Sequence, residues 1–232
     1  MKNILLIGGS HGIGLALVKE LQHENNVYVA SRTNENLADL KCTHFPFDAL
    51  TDTLDKSKLP DVIDGLVYCP GSINLRQFRS LKPETFENDL QINFISVVKV
   101  IQSVLPNLSA SEQSSIVLFS SIAASMGMPF HTSVAATKGA IEGFAKALAA
   151  EYAPKIRVNV VAPSLTDTPL ADKFLNSEEK KEKSAQRHPL KRVGTADDIA
   201  QMASFLLSDK SNWISGQILH VDGGMSTLLV NS

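Results

Sequence analysis

Ile4-Leu5-Leu6-Ile7-Gly8-Gly9-Ser10-His11-Gly12-Ile13-Gly14 joins a short apolar run to a glycine-rich turn and then to a helical pattern. An unbroken apolar run of this length fits a strand covered on both faces. Glycines let the turn tighten and bring its backbone close to a phosphate. The helix that follows offers unpaired N–H groups and the positive end of its dipole. Strand, glycine turn and helix in that order form the opening unit of a nucleotide-binding βαβ motif. Gly9, Ser10, His11, Gly12, Ile13 and Gly14 are therefore the expected contacts to a pyrophosphate.

Outward from this unit the same alternation continues. Strands are expected at about 3–8, 26–30, 43–46, 64–68, 115–119, 156–161 and 217–220, with helices at about 12–23, 34–40, 84–108, 132–152 and 196–207. Ser115-Ile116-Val117-Leu118-Phe119 and Ile156-Arg157-Val158-Asn159-Val160-Val161 are again nearly continuous apolar runs. Such strands alternating with helices predict right-handed crossovers. The expected fold is α/β: a single-domain, Rossmann-type, doubly wound parallel sheet of about seven strands with helices on both faces, spanning 1–232. No repeat or linker divides the chain. The charged stretch Asn176 to Lys183 reads as a solvated helix face or as part of a lid beside the crevice.

Lys plus Arg number 22 against 24 Asp plus Glu, a net charge of -2. That balance supplies no general attraction to nucleic acid or to an anionic membrane. No run of 18 uncharged apolar residues occurs, and the apolar run after Met1-Lys2-Asn3 is too short for a signal peptide. Cys42 and Cys69 lack metal-ligand spacing, so no metal site is expected, and a cytoplasmic location is the default reading.

The end of the second strand selects the nucleotide. An Asp or Glu there accepts hydrogen bonds from a ribose 2′-hydroxyl, whereas this chain reads Val29-Ala30-Ser31-Arg32-Thr33. Ser31 removes the carboxylate that would repel a 2′-phosphate, Arg32 supplies a planar cation to bind one, and His11 adds a donor. The expected cofactor is NADP(H).

With these pieces in place, the sequence resembles the short-chain dehydrogenase/reductase family, especially its 3-oxoacyl-carrier-protein reductase-like branch, over nearly the whole chain. Gly9, Gly12 and Gly14 match the family's glycine motif, with Gly8 where threonine is common. The resemblance implies that Asp48 faces the adenine amino group and that Asn93, in Gln91-Ile92-Asn93-Phe94, holds a relay water. It implies that Ser121 bonds the substrate oxygen and that Lys138, in Ala136-Thr137-Lys138-Gly139-Ala140, anchors the nicotinamide ribose. Gly71 lies in the segment after the fourth strand. Thr166 and Thr168 lie in Ala162-Pro163-Ser164-Leu165-Thr166-Asp167-Thr168, which resembles the segment contacting the carboxamide. Ile214-Ser215-Gly216-Gln217 and Val221-Asp222-Gly223-Gly224 match a closing signature of the branch.

Three departures stand out. The family places tyrosine four residues before the lysine, where this chain has Val134. Tyr68-Cys69-Pro70-Gly71 replaces the usual Asn-Asn-Ala-Gly, and Ser164 replaces a glycine. Valine has no proton to give, and losing a placed general acid costs roughly 10²- to 10⁴-fold in rate. His131, seven residues before Lys138, lies two turns away on the same helix face, and imidazole exchanges protons near neutral pH. His131 is the candidate substitute acid, its other reading being a polar residue in a helix-entry loop; Ser133, Thr137 and Tyr68 are weaker candidates. Two functional expectations follow: an oxidoreductase acting on a carbonyl or conjugated enone with an unusual proton donor, or a catalytically silent NADP(H)-binding sensor or partner subunit. A scaffold without cofactor is a third reading, which the glycine turn and Arg32 oppose. The loops Ser72–Ser80, Ala123–Thr132 and Thr168–His188, with Phe78, Met126, Met128, Phe130 and Phe174, predict a small-molecule substrate with an apolar portion. The helices at 84–108 and 132–152 resemble the family's dimer-forming pair, which implies a homodimer or homotetramer.

Overall fold

The computed structural model describes residues 1–230. Its elements in chain order are β1 (Lys2–Ile7), α1 (Gly12–Leu21), β2 (Asn25–Ser31), β3 (Cys42–Pro46), β4 (Gly65–Tyr68), α2 (Pro83–Leu90) and α3 (Ser96–Ala110). There follow β5 (Ser114–Phe119), α4 (Thr132–Tyr152), β6 (Ile156–Pro163), β7 (Thr166–Asp167), α5 (Asp172–Leu175) and α6 (Glu178–Gln186). The last are β8 (Gly194–Thr195), α7 (Ala196–Leu207) and β9 (Ile218–Val221). Seven strands form one parallel sheet in the order β3-β2-β1-β4-β5-β6-β9, and β7 pairs with β8 apart from it. The seven expected strands all appear, each within two residues of its expected ends.

The period-two alternation of β1 shows why its apolar run is unbroken. Leu5 and Ile7 face one layer with Val97, Val100 and Val104 of α3 and Ile141 and Ala145 of α4. Ile4 and Leu6 face the other with Leu17 and Val18 of α1 and Ile199 and Ala203 of α7. Both faces of the strand must therefore be apolar, and each large side chain buried there contributes about 2 kcal/mol.

Two helical expectations are corrected. The stretch 34–40 forms only a 3₁₀ turn, Glu35–Leu37, in which Leu37 alone is buried. With so little apolar surface to pack, it has nothing to hold a longer helix. The helix expected at 84–108 runs from Pro83 to Ala110, interrupted by a π-helical turn at Gln91–Ile95. By length and composition Pro83–Ala110 would be long and apolar enough to cross a membrane. Its apolar stripe instead covers the sheet through Val97, Val100, Ile101, Val104 and Leu108. The charged stretch after β7 forms α6, capped by the Ser177 hydroxyl, which accepts from Lys180 N–H at 3.3 Å.

β1 is flanked by β2 on one side and β4 on the other, so the strand order reverses there. A crevice opens at such a point, outside the carboxyl ends of the strands. Gly8 N–H bonds Ala30 O at 2.8 Å and Cys69 N–H bonds Ile7 O at 2.9 Å, which brings the turns after β1 and β4 together at the crevice floor.

Candidate active site in the crevice

The glycine turn is shaped by two positions above all. Gly8 has φ +82°, a left-handed conformation that a side chain would strain. A Cβ on Gly14 would sit 2.3 Å from the Gly8 carbonyl oxygen, so only glycine lets α1 start this close to β1. The Ser10 hydroxyl lies 3.0 Å from His11 Nδ1 and 3.2 Å from Thr33 Oγ1, and Asn36 Nδ2 donates to Ser10 O at 3.1 Å. These bonds tie the glycine turn to the end of β2.

The crevice has two lobes that share Cys69, Gly71, Ser72 and Leu170. The outer lobe, about 810 Å³, is bordered by Ser10, His11, Ser31, Arg32 and Asp48. Ser31 is buried and its hydroxyl donates to Thr33 O at 2.8 Å, so it shapes the turn that presents Arg32. Arg32 is exposed and makes no ion pair among the described residues. Asp48 Oδ1 accepts from Leu50 N–H at 2.9 Å, which fixes the carboxylate at the lobe's edge.

The inner lobe, about 480 Å³, brings together Ile13, Asn93, Ser121, His131, Val134, Lys138, Thr166 and Thr168. Gly9, Gly12 and Gly14 form the turn without lining either lobe. The Ser121 hydroxyl accepts from Ala123 N–H at 3.2 Å, which leaves its own hydrogen free to donate. Lys138 Nζ donates to Phe119 O at 3.0 Å. Burial pushes its ammonium down to about 8, against an opposing pull from Asp89. His131 Nδ1 lies 2.7 Å from Pro129 O, so Nδ1 carries the hydrogen and Nε2 remains for other work. Val134 is buried one turn before Lys138. Thr168 seats against the glycine turn, its Cβ 3.4 Å from where a Cβ on Gly12 would lie.

Asn93 sits in the π turn between α2 and α3, 2 % exposed. Its Nδ2 donates to Asp89 O and to Ser72 Oγ, each at 2.8 Å. A Cβ on Gly71 would lie 3.0 Å from Asn93 Oδ1 and 3.7 Å from Lys138 Nζ, so Gly71 is the gap through which these two groups approach each other. Behind them Asp89 is buried and accepts from Ser72 Oγ and Ser133 Oγ, each at 2.5 Å, and from Asn74 Nδ2 at 2.7 Å. Sequence reading missed Asp89. Its only signal is a carboxylate four residues before Asn93 on the same helix face.

The other expectations divide. Ser133 is spent on Asp89 and Thr137 on Val134 O at 3.1 Å, and neither lines the lobe. Tyr68 is packed in the core with its hydroxyl donating to Ile92 O at 2.9 Å, and burial raises its pKa. None of the three is placed to donate a proton. Met128 and Phe174 line the inner lobe as expected, whereas Phe78, Met126 and Phe130 do not; Phe78 stacks edge-on against Phe86. Their places are taken by Ile73, Leu75, Leu165 and Leu170. The lobe also holds an unforeseen pair, Ser164 Oγ 2.9 Å from His188 Nε2, with His188 Nδ1 bonded to Ser184 O at 2.9 Å.

A family model described as enoyl-(acyl carrier protein) reductase matches residues 8–226. The 3-oxoacyl-(acyl-carrier-protein) reductase of Thermotoga maritima is 30% identical over 241 residues, covering 97% of each chain. The ligand-free aldohexose dehydrogenase of Thermoplasma acidophilum superposes with a TM-score of 0.89 at 26% identity, covering 100% of this chain and 96% of that one. A gluconate 5-dehydrogenase of Burkholderia cenocepacia, solved with NADP and tartrate, gives a TM-score of 0.88 at 25% identity, covering 98% of this chain and 96% of that one. With a parallel sheet that reverses order beside a glycine turn, and with relatives matched along nearly their full length, this chain belongs to the short-chain dehydrogenase/reductase family of oxidoreductases.

Proposed function

We propose that this protein is an NADP(H)-dependent oxidoreductase that reduces a carbonyl or conjugated enone, on a thioester-linked acyl group or a similar apolar body, with a proton donor other than a tyrosine phenol. The observation that carries the reading is a pair of adjoining lobes that share Cys69, Gly71, Ser72 and Leu170, with Ser121, His131 and Lys138 lining the inner one and Arg32 the outer one. The residues fit a dinucleotide phosphate. Gly14 lets the first helix point its N–H groups at the crevice, Arg32 has no acid partner among the described residues, and Ser31-Arg32-Thr33 offers no carboxylate to a 2′-phosphate. Related structures solved with NADP or NADPH support the same cofactor.

When bound, the nicotinamide supplies the hydride. The chain's own residues do the rest. Ser121 donates its free hydroxyl hydrogen to the substrate oxygen and so polarises the carbonyl. Lys138 donates to the ribose hydroxyls, its ammonium steadied by Phe119 O. Asn93 and Ser72 hold polar atoms near Lys138 where a water can be bound. His131, protonated, gives its Nε2 proton to the oxygen while Nδ1–H stays on Pro129 O.

Fluorescence titration with NADPH and with NADH tests the cofactor. We expect tight binding of NADPH, and a preference for it of about tenfold or more that Arg32→Ala removes. Binding of neither nucleotide would overturn the reading. Val134 favours a second reading, a silent NADP(H)-binding sensor or partner subunit, because the side chain facing the lobe one turn before Lys138 has no proton to give. Val134→Tyr separates the two: ketoreductase activity arising from an inactive parent supports the silent reading, and loss of an existing activity supports the specialised enzyme.

A further inference from the structure

The inner lobe carries charge of one sign. Its walls include Lys138, Lys173, Lys180, Lys183 and Arg187, and no Asp or Glu among the described residues. Other cations of the same segment find acids: Lys181 Nζ lies 3.0 Å from Asp167 Oδ2, and Arg192 pairs with Asp198. The cations that face the lobe make no ion pair among the described residues. Lys173 Nζ bonds Ile73 O and Lys180 Nζ bonds Asn176 Oδ1, each at 2.7 Å and each a neutral partner. Lys183 and Arg187 are exposed at the mouth, within ion-pair distance of no acid among the described residues.

The spacing on α6 explains this separation. Lys180, Lys183 and Ser184 lie three and four residues apart and Arg187 follows at the next turn, so they share one helix face, and all line the lobe. Glu178, Glu179 and Glu182 fall outside the lining and are exposed. The helix thus turns a basic edge to the crevice and an acidic edge to solvent. The same lobe is lined by half-buried apolar side chains, Ile73, Leu75, Met128, Leu165 and Phe174, against the exposed Lys183 and Arg187. A cationic mouth over an apolar interior selects a molecule built the same way.

We propose that the inner lobe takes a substrate with an apolar body and an anionic end, a carboxylate or phosphate, held at the mouth by Lys183 and Arg187. This rests on the reading of the inner lobe as the substrate site. Arg187 offers a planar fork that matches either oxyanion, and Lys183 one turn away adds a second positive charge. Both are exposed, so each contact alone is worth little, and the selectivity comes from the joint field of the lining cations, with no Asp or Glu in the lining among the described residues.

Calorimetric titration of the chain, with and without saturating NADPH, with octanoate, octyl phosphate and 1-octanol tests the proposal. At least one anion is expected to bind about tenfold more tightly than the alcohol, and to lose that advantage at high salt. The double variant Lys183→Gln, Arg187→Gln is expected to bind all three alike while keeping the parent's affinity for NADPH. Equal binding of anions and alcohol by the parent, no binding of any of them, or an anion preference that survives in the variant would overturn it. So would a parallel loss of NADPH affinity, which would give these cations to the cofactor phosphates. The arm without NADPH stands even if the chain binds no nucleotide, so failure of the cofactor reading is distinguishable from failure of this one.

Discussion

Lys138 shows how one side chain's position governs both chemistry and stability. Its folded value of about 8 lies below the ordinary 10.5 because burial disfavours the ammonium. Between those values the unfolded chain holds more protons than the native one, so this group makes stability rise with pH across that window, and below about 8 its burial penalty is felt in full. Lys138→Met is therefore expected to gain thermal stability over the parent at pH 7, with the gain fading as pH rises from about 8 to 10. Thermal scans of both proteins across that range check it; a pH-independent difference would refute the assignment. Asn93, Ser121 and Lys138 were named through the family resemblance and His131 through its spacing from Lys138, and the structure places all four in the lining of the inner lobe. Asp89 was not. Its partners Ser72, Asn74 and Ser133 come from two other segments, and nothing local to residue 89 announces them.

At the scale of elements, α7 is closed at its start by a capping box. Thr195 Oγ1 accepts from Asp198 N–H at 3.2 Å, and Asp198 Oδ2 accepts from Thr195 N–H at 2.8 Å. Arg192 adds a two-pronged contact and holds the Asp198 carboxyl well below the usual carboxylate range. Since α7 covers one face of the sheet through Ile199, Ala203 and Leu206, loss of the cap should weaken the whole fold. Thr195→Ala is expected to cost about 1 kcal/mol and lower Tm by roughly 2–4 °C. A calorimetric scan showing no change would mean that the Arg192 clamp alone fixes this helix end. The strands were readable to within two residues, because short apolar or β-branched runs alternating with longer helical patterns fit strands better than helices. The π turn at Gln91–Ile95 was not readable, because a single widened turn leaves the 3.6-residue pattern on either side intact. The 34–40 helix failed because Leu37 is the one fully buried side chain of its single turn, too little apolar surface to hold a longer helix.

At the scale of the molecule, two side chains stand in solvent at apolar cost: Trp213 is 96% exposed and Leu229 98%. Single exposed apolar side chains are ordinary on a protein surface, so the expectation of assembly rests on the resemblance of the helices at 84–108 and 132–152 to the family's dimer-forming pair. We expect a homodimer or homotetramer, and light scattering at micromolar concentration should give two or four times the 25.1 kDa chain mass. A mass of one chain would remove the expectation. The amino-acid sequence by itself determined the doubly wound sheet and the place of its crevice, and the family resemblance named the candidate residues that line it. Strand runs, glycine turns and helix faces are local patterns, and local patterns are written in neighbouring residues. The tertiary structure alone decided which of those residues meet. It drew His188 against Ser164, twenty-four positions apart, withdrew Tyr68 and Ser133 into hydrogen bonds elsewhere, and turned the basic edge of α6 toward the crevice. Contacts of that kind depend on how β6, α6 and the segment after β4 converge over the sheet, and no stretch of chain contains that information alone.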